Sequence, residues 1–203
     1  FSVIKNKMTE LNGVDYIGLS SSELHGRNFD QETSRSAVGQ PIGSFFVYEA
    51  DGLFQSDAEI QNYKNDRGEL LQPNAKPGDI RFKDLNGDGV INSDDRDFKG
   101  NPLPDCSMGL TLGFNYKNFD VSAFFQGVFG NEVYNLTNYL GEFYNQAQYN
   151  KNSTILDAWR PDNTDTDIPR VTLDDPNNNI RPSTYYIHNA SFVRLKNLKV
   201  GYT

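Results

Sequence analysis

Twelve consecutive residues carry the chemistry of this 203-residue chain: Asp84-Leu85-Asn86-Gly87-Asp88-Gly89-Val90-Ile91-Asn92-Ser93-Asp94-Asp95. Counted from Asp84, side-chain oxygens fall at positions 1, 3, 5, 9 and 12, glycine at 6, a β-branched residue at 7 and the apolar Ile91 at 8. This is the order in which an EF-hand-type loop wraps Ca²⁺, a hard cation that takes roughly six to eight oxygens at about 2.3–2.6 Å. Asp84, Asn86 and Asp88 supply three side-chain oxygens, and Gly89 permits a turn that needs φ > 0. Val90 offers its carbonyl, Asn92 contributes directly or through a water, and Asp95 stands where a longer Glu is usual. The same residues also read as a metal-free acidic turn, because Asn86-Gly87 and Asp88-Gly89 are both strong turn dipeptides. Turn chemistry, however, asks for neither Ile91 nor an acid at position 12. No helix leads in: residues 79–83 alternate as a strand, and Pro102 and Pro104 follow, so the loop is expected on a β scaffold.

The elements that must position it are mainly β. Hydrophobic content is only 36%, yet aromatics reach 13%, with 14 Phe and 11 Tyr beside many Asn, Gly and Asp, which favours strands over helices. The length allows one large domain or two small ones. A net charge of −8 argues against nucleic acid and an anionic membrane surface as partners, since both demand basic patches. The single Cys106 forms no internal disulfide and sits in no metal-type spacing. His25 and His188 are far apart with no nucleophile motif between them, so no catalytic residues are assigned and an enzyme is not expected. No apolar run approaches the ~18 residues of a membrane helix, which leaves β-strand spanning open. The chain opens without Met inside an apparent strand and stops at Gly201-Tyr202-Thr203 in another, as expected of a piece of something longer.

Along the chain, residues 1–9 and 14–20 read as a hairpin turning at Asn12-Gly13, and 21–42 as a polar loop. Ile42 to Glu49 is a strand. Gly52-Leu53-Phe54 leads into a short helix with Ser56 and Glu59 as capping box and Ile60 and Tyr63 as its apolar face. The clearest pattern lies at 107–129. Met108, Leu110, Leu112, Phe114 and Tyr116 share one face of a strand, Lys117-Asn118 turn, and Phe119, Val121, Ala123 and Phe125 resume the face. Strands of about ten residues with this alternation suit a membrane barrel, and equally a soluble sandwich with the faces exchanged. Residues 131–149 read as helical through Val133, Leu136, Tyr139, Leu140 and Phe143, with a second short helix at 153–159. Pro161 to Pro182 is a long acidic loop, and strand returns at 184–187 and 191–203. About seven strands result, and no internal repeat is visible.

With these residues in view, the chain resembles the C-terminal barrel portion of SusC/RagA-type TonB-dependent outer-membrane transporters. The resemblance rests on six segments in order: Gly43–Gln55, Pro77–Ile91, Asp95-Arg96 with Gly100-Asn101-Pro102, Asn118–Asn131, Trp159–Thr164 and Ser191–Tyr202. Asp84, Asn86, Asp88 and Asp95 match the family's acidic Asp-x-Asn-Gly-Asp-Gly element. The resemblance implies antiparallel strands of an outer-membrane β-barrel, with an EF-hand-like calcium loop and extracellular loops at 21–42, 50–106 and 130–183 that carry short helices. It also implies import of glycans or peptides with a SusD-like surface lipoprotein, energised by TonB through parts that this chain lacks. The aromatic side of 107–129 would then face outer-membrane lipid. The competing reading is a free-standing secreted module, stabilised by calcium and binding glycan, with Trp159 and the loop tyrosines as stacking platforms. Against that platform role, Trp159 adjoins Ile155-Leu156 and reads as a core or hinge residue.

Overall fold

A computed structural model describes residues 1–20, 32–143 and 150–203. His25, residues 21–31 of the expected loop and residues 144–149 of the expected helix lie outside them. The strands are β1 (Ser2–Val3), β2 (Tyr16–Ser20), β3 (Glu32–Ala37), β4 (Ser44–Tyr48), β5 (Ala50–Leu53), β6 (Ile80–Phe82), β7 (Arg96–Gly100), β8 (Cys106–Tyr116), β9 (Phe119–Phe129), β10 (Glu132–Tyr134), β11 (Ile187–Asn189) and β12 (Phe192–Tyr202). Two short helices, α1 (Asp57–Asn62) and α2 (Leu136–Glu142), complete the set with three 3-10 turns. Among the described residues no helix is long and apolar enough to cross a membrane.

All named strand pairs are antiparallel. A long sheet runs β1-β8-β9-β12, a second runs β2-β3-β4-β7, and β5-β6 and β10-β11 form ribbons. Among the described residues twelve strands thus stand where about seven were expected, because short, polar or bulged segments join sheets through backbone pairing that periodicity does not reveal. The expected opening hairpin does not form. Asn12 and Gly13 do turn, at φ 44° and 88°, but β1 pairs with β8 while β2 pairs with β3. Part of the expected 21–42 loop is β3, whose Arg35 guanidinium lies between the rings of Tyr16 and Phe46, 3.9 and 3.7 Å from their centroids. Cation–π contacts of that kind hold a strand with no apolar alternation of its own.

The 50–106 stretch is likewise a folded unit. Its Leu53, Ile80 and Phe82 share one core with Phe143, Trp159, Ile180 and Tyr186 from the later connection, with Ile91, Tyr48, Tyr134, Tyr139 and Tyr185 packed against them. Fully burying such side chains stabilises by roughly 1.5–3 kcal/mol each. Helix α1 starts where expected: the Ser56 side chain accepts from the Glu59 amide at 3.3 Å, and Ile60 is buried beside Phe54. The Glu59 carboxylate, however, accepts from the Gln55 amide at 2.8 Å, so the box closes one residue early. Residues 132–134, expected helical, pair with β11 before α2 begins at Leu136. The segments at 153–157 and 184–186 are 3-10 turns.

Candidate functional site

The acidic loop leaves β6 and returns through a 3-10 turn, Ser93–Asp95, into β7, so its scaffold is β on both sides. Asp84 accepts from the amides of Gly87 at 2.7 Å and Gly89 at 2.8 Å. Asn86 Oδ1 accepts from the Asp88 amide at 2.9 Å, and Asp88 Oδ1 from the Val90 amide at 2.9 Å. That amide, followed by the side chains of Asn86 and Asn92, holds the Asp88 carboxyl below its ordinary pKa. Asn92 Oδ1 accepts from the Asp94 amide, and its Nδ2 donates to the Val90 carbonyl at 3.3 Å. Gly87 and Gly89 sit at φ 73° and 89°, the left-handed region that glycine enters without strain. A Cβ on Gly89 would also lie 2.7 Å from Nδ2 of Asn65, which donates to the Gly89 carbonyl.

Asp95 has a different place from the other acids. It is fully buried, and its carboxylate accepts from the amides of Leu85 (2.8 Å), Asn86 (3.4 Å) and Asn92 (2.8 Å), so it ties the loop's first residues to its last. The structure therefore brings Asp84, Asn86, Asp88, Val90 and Asn92 around one turn, with Asp95 closing it from the buried side. The donors are all hard oxygens, the type that suits Ca²⁺ and not a thiophilic metal. Among the described residues no group of three or more His, Cys, Asp or Glu side chains converges as a metal site, so any cation there depends on amide and backbone oxygens as well.

What fixes β6 beneath this loop escaped sequence reasoning. Asp79 and Asn179 are fully buried, and Gln72 and Asn177 nearly so. Asp79 accepts from Arg170 Nε at 2.7 Å and its second nitrogen at 3.2 Å, from Asn179 Nδ2 at 2.9 Å and from the Lys76 amide at 2.8 Å. Gln72 Oε1 accepts from the Phe82 amide, Asn179 Oδ1 accepts from the Ile80 amide, and Asn177 Nδ2 donates to the Ile80 carbonyl. The acidic stretch 161–182 thus has no strand or long helix but does have a job: its amides satisfy the unpaired backbone of β6. Trp159 belongs to the same core, donating from Nε1 to Gln55 Oε1 at 2.9 Å, and is buried rather than presented as a platform. It is buried by this core and not by its sequence neighbour Leu156, which is 72% exposed. Tyr186 is also fully buried, and Tyr134, Tyr139 and Tyr185 pack around the core, so these tyrosines are not free stacking surfaces either.

The second candidate surface is the long sheet. Registers across β8, β9 and β12 give five rows on one face: Tyr116-Phe119-Tyr202, Phe114-Val121-Val200, Leu112-Ala123-Leu198, Leu110-Phe125-Leu195 and Met108-Gly127-Val193. Every member is apolar, tyrosine or glycine. The outer-strand members stand 44–71% exposed, an apolar area without cover among the described residues. In β12 the sequence alternation breaks between Leu195 and Leu198, and the structure mends it: Lys196 is left unpaired in a bulge, so both halves of the strand keep their apolar residues on one face.

No family model matches the chain. Among curated proteins it is similar to TonB-dependent receptor P26 of Formosa agariphila, 36% identical over 198 residues, covering 98% of this chain and 19% of that protein. It is 37% identical to TonB-dependent receptor P3 of the same organism over its full length, again 19% of that protein. With TonB-dependent receptor SusC of Bacteroides thetaiotaomicron the identity is 28% over 98% of the chain and 17% of the relative. The fold matches solved structures of the RagAB peptide importer in its closed-closed state (TM-score 0.63, 24% identity) and of the RagAB peptide transporter (TM-score 0.60, 26% identity). Each match covers 97% of this chain and 19% of the other. The chain therefore spans about a fifth of the proteins it matches.

Proposed function

We propose, from its homology to SusC/RagA-type TonB-dependent receptors, which are outer-membrane proteins, that this chain builds part of the wall and outward connections of an importer of oligomeric nutrients. The observation that carries this reading is the five-row apolar face. Strands of 11 residues extend roughly 35 Å, which at a tilt near 40° spans about 27 Å, the height of a bilayer's apolar band. Its aromatic row, Tyr116-Phe119-Tyr202, lies beside the two-residue turn at Lys117-Asn118, as an interfacial girdle would. Short turns mark the periplasmic end of such barrels, so the loop at 84–95 and the 131–186 connection belong to the extracellular end. A SusD-like surface lipoprotein is the partner this reading assigns, the cargo is a glycan or peptide, and TonB acts through other parts of the receptor.

In this reading the acidic loop takes Ca²⁺ through Asp84, Asn86, Asp88, the Val90 carbonyl and Asn92, with Asp95 closing the turn. The ion supplies fixed positive charge that lets these oxygens sit together. A free-standing water-soluble module fits less well, because it would leave the five rows in water and has lost Trp159 as a platform. Leu112→Arg places a charge in the middle apolar row, at a cost of about 2–4 kcal/mol near the bilayer midplane, whereas Thr111→Arg adds it to the opposite face. Fractionation of cells making the receptor should show Leu112→Arg depleted from the outer membrane and Thr111→Arg retained. Equal levels of the two would sink the assignment of faces.

A further inference from the structure

Resting on the importer reading, we propose that the outer edge of β8 is the docking lane for the receptor segment directly ahead of Phe1, which continues β1 into a full-length wall strand. Among the described residues only β1 pairs with that edge, and it meets Cys106 and Ser107 alone. The Ile4 amide donates to the Asp105 carbonyl at 2.9 Å, in the same register. From Gly109 to Tyr116 no described strand lies beside the edge. In a bilayer the N–H and C=O groups of such an edge find no water, so open edges do not occur there.

The register dictates which residue meets which. Ser2 pairs with Ser107 and Val3 with Cys106, so one step back along the chain is one step forward along β8. Phe1 therefore falls opposite Met108, and the eight residues ahead of it fall opposite Gly109 to Tyr116. With Phe1, Ser2 and Val3 they make 11 residues, the length of β8, β9 and β12. Parity follows from the pleat. Phe1 and Val3, 95% and 60% exposed, extend the apolar face, while Ser2 joins the polar one. The second, fourth and sixth residues before Phe1 stand opposite Leu110, Leu112 and Phe114, so those three are uncharged and mainly apolar. The eighth stands opposite Tyr116 and extends the aromatic row.

Three observations favour this occupant over a strand from elsewhere in the receptor or from a second copy. First, β1 already sits in the lane. Any other strand would have to abut Phe1 end to end, whereas the peptide bond to Phe1 continues the strand without a gap. Second, the direction is right. The chain runs along β1 away from the Lys117-Asn118 turn, toward the end that carries the loops. It then delivers Met8 to the turn between β3 and β4, where the Met8 amide donates to the Gln40 carbonyl at 2.8 Å and the Gly39 amide to the Met8 carbonyl at 2.9 Å. Third, this chain spans about a fifth of the receptors it matches, so they hold chain enough to supply the strand.

The test uses the full receptor in outer membranes, with Cys106→Ser as background. Leu112→Cys is combined with a cysteine at the fourth residue before Phe1, and separately with one at the second or the sixth. Residues directly opposite in an antiparallel pair lie within disulfide reach, and diagonal ones do not. Under oxidation by copper phenanthroline the fourth-residue pair should cross-link within one chain about tenfold faster than either shifted pair. A faster shifted pair, a cross-link between two receptors, or no cross-link in an assembled receptor overturns the inference. Sequencing the receptor ahead of Phe1 needs no variant, and a charged residue at the second, fourth or sixth position overturns it as well. A receptor that sits in the outer membrane yet shows any of these results sinks only this inference. One absent from the membrane sinks the reading beneath it.

Discussion

Deleting Lys196 and Asn197 together should disable membrane assembly, although deleting Lys196 alone should not. Lys196 is the unpaired residue of the β12 bulge, between Leu195, paired with Phe125, and Asn197, paired with Phe124. Removing Lys196 alone joins Leu195 to Asn197 in unbroken alternation and keeps every face, whereas removing both joins Leu195 to Leu198, so every residue after the cut changes face. In the double deletion Leu198, Val200 and Tyr202, now 60–71% exposed on the apolar face, would turn to the polar one, and Lys199 would turn to lipid. Lys199 pairs with Ser122, one residue from the middle apolar row, where a cation in the hydrocarbon costs about 2–4 kcal/mol. Each apolar side chain withdrawn from lipid forfeits roughly 0.3–0.6 kcal/mol. The total, about 3–6 kcal/mol, is a large share of the roughly 5–15 kcal/mol that holds an ordinary domain together. Outer-membrane yield and heat-modifiable gel mobility of the receptor report assembly. Normal assembly of the double deletion, or failed assembly of the single one, would show that β12 is not held in register by its two faces, and the argument from parity would fail.

Asp79→Ala should loosen the clamp on β6 by about 3–5 kcal/mol, because it strands the Arg170 guanidinium and the buried Asn179 amide, whereas Asp51→Ala, which breaks an exposed pair with Arg81, should cost under about 1 kcal/mol. Hydrogen exchange at Ile80, Phe82 and Ile180 checks this, and similar protection in the two variants would contradict it. Calorimetric titration should show Ca²⁺ binding the acidic loop in preference to Mg²⁺, with Asp88→Ala weakening it most, since Asp88 is exposed and central to the turn. Equal or absent heats for the two ions would remove calcium from the account.

The β8-β9 hairpin is legible in sequence because two 11-residue strands alternate without a break and meet at a two-residue turn. Strand β12 is less so: its parity slips at Lys196, and only pairing with β9 shows that the slip is a bulge. In the acidic loop the apolar Ile91 is legible as a residue turned to the core, against which it packs, whereas the burial of Asp95 among backbone donors is not. Glu32–Ala37 hides as a strand because it has no apolar alternation and relies on Arg35 between Tyr16 and Phe46. The clamp is hidden for a related reason. Gln72, Asp79, Asn177 and Asn179 act through contacts 8 to 105 residues apart, and polar residues in irregular chain have no period to betray burial.

Thiol labelling tests the central claim, that the five apolar rows face lipid, most directly. Cysteines at Leu112 and Thr111, each in a receptor with Cys106→Ser, occupy neighbouring positions on opposite faces of β8. In intact outer membranes a membrane-impermeant maleimide should label Cys at position 111 and leave position 112 unreacted until detergent removes the lipid. Labelling of position 112 with protection of position 111 would mean that the sheet is inside out.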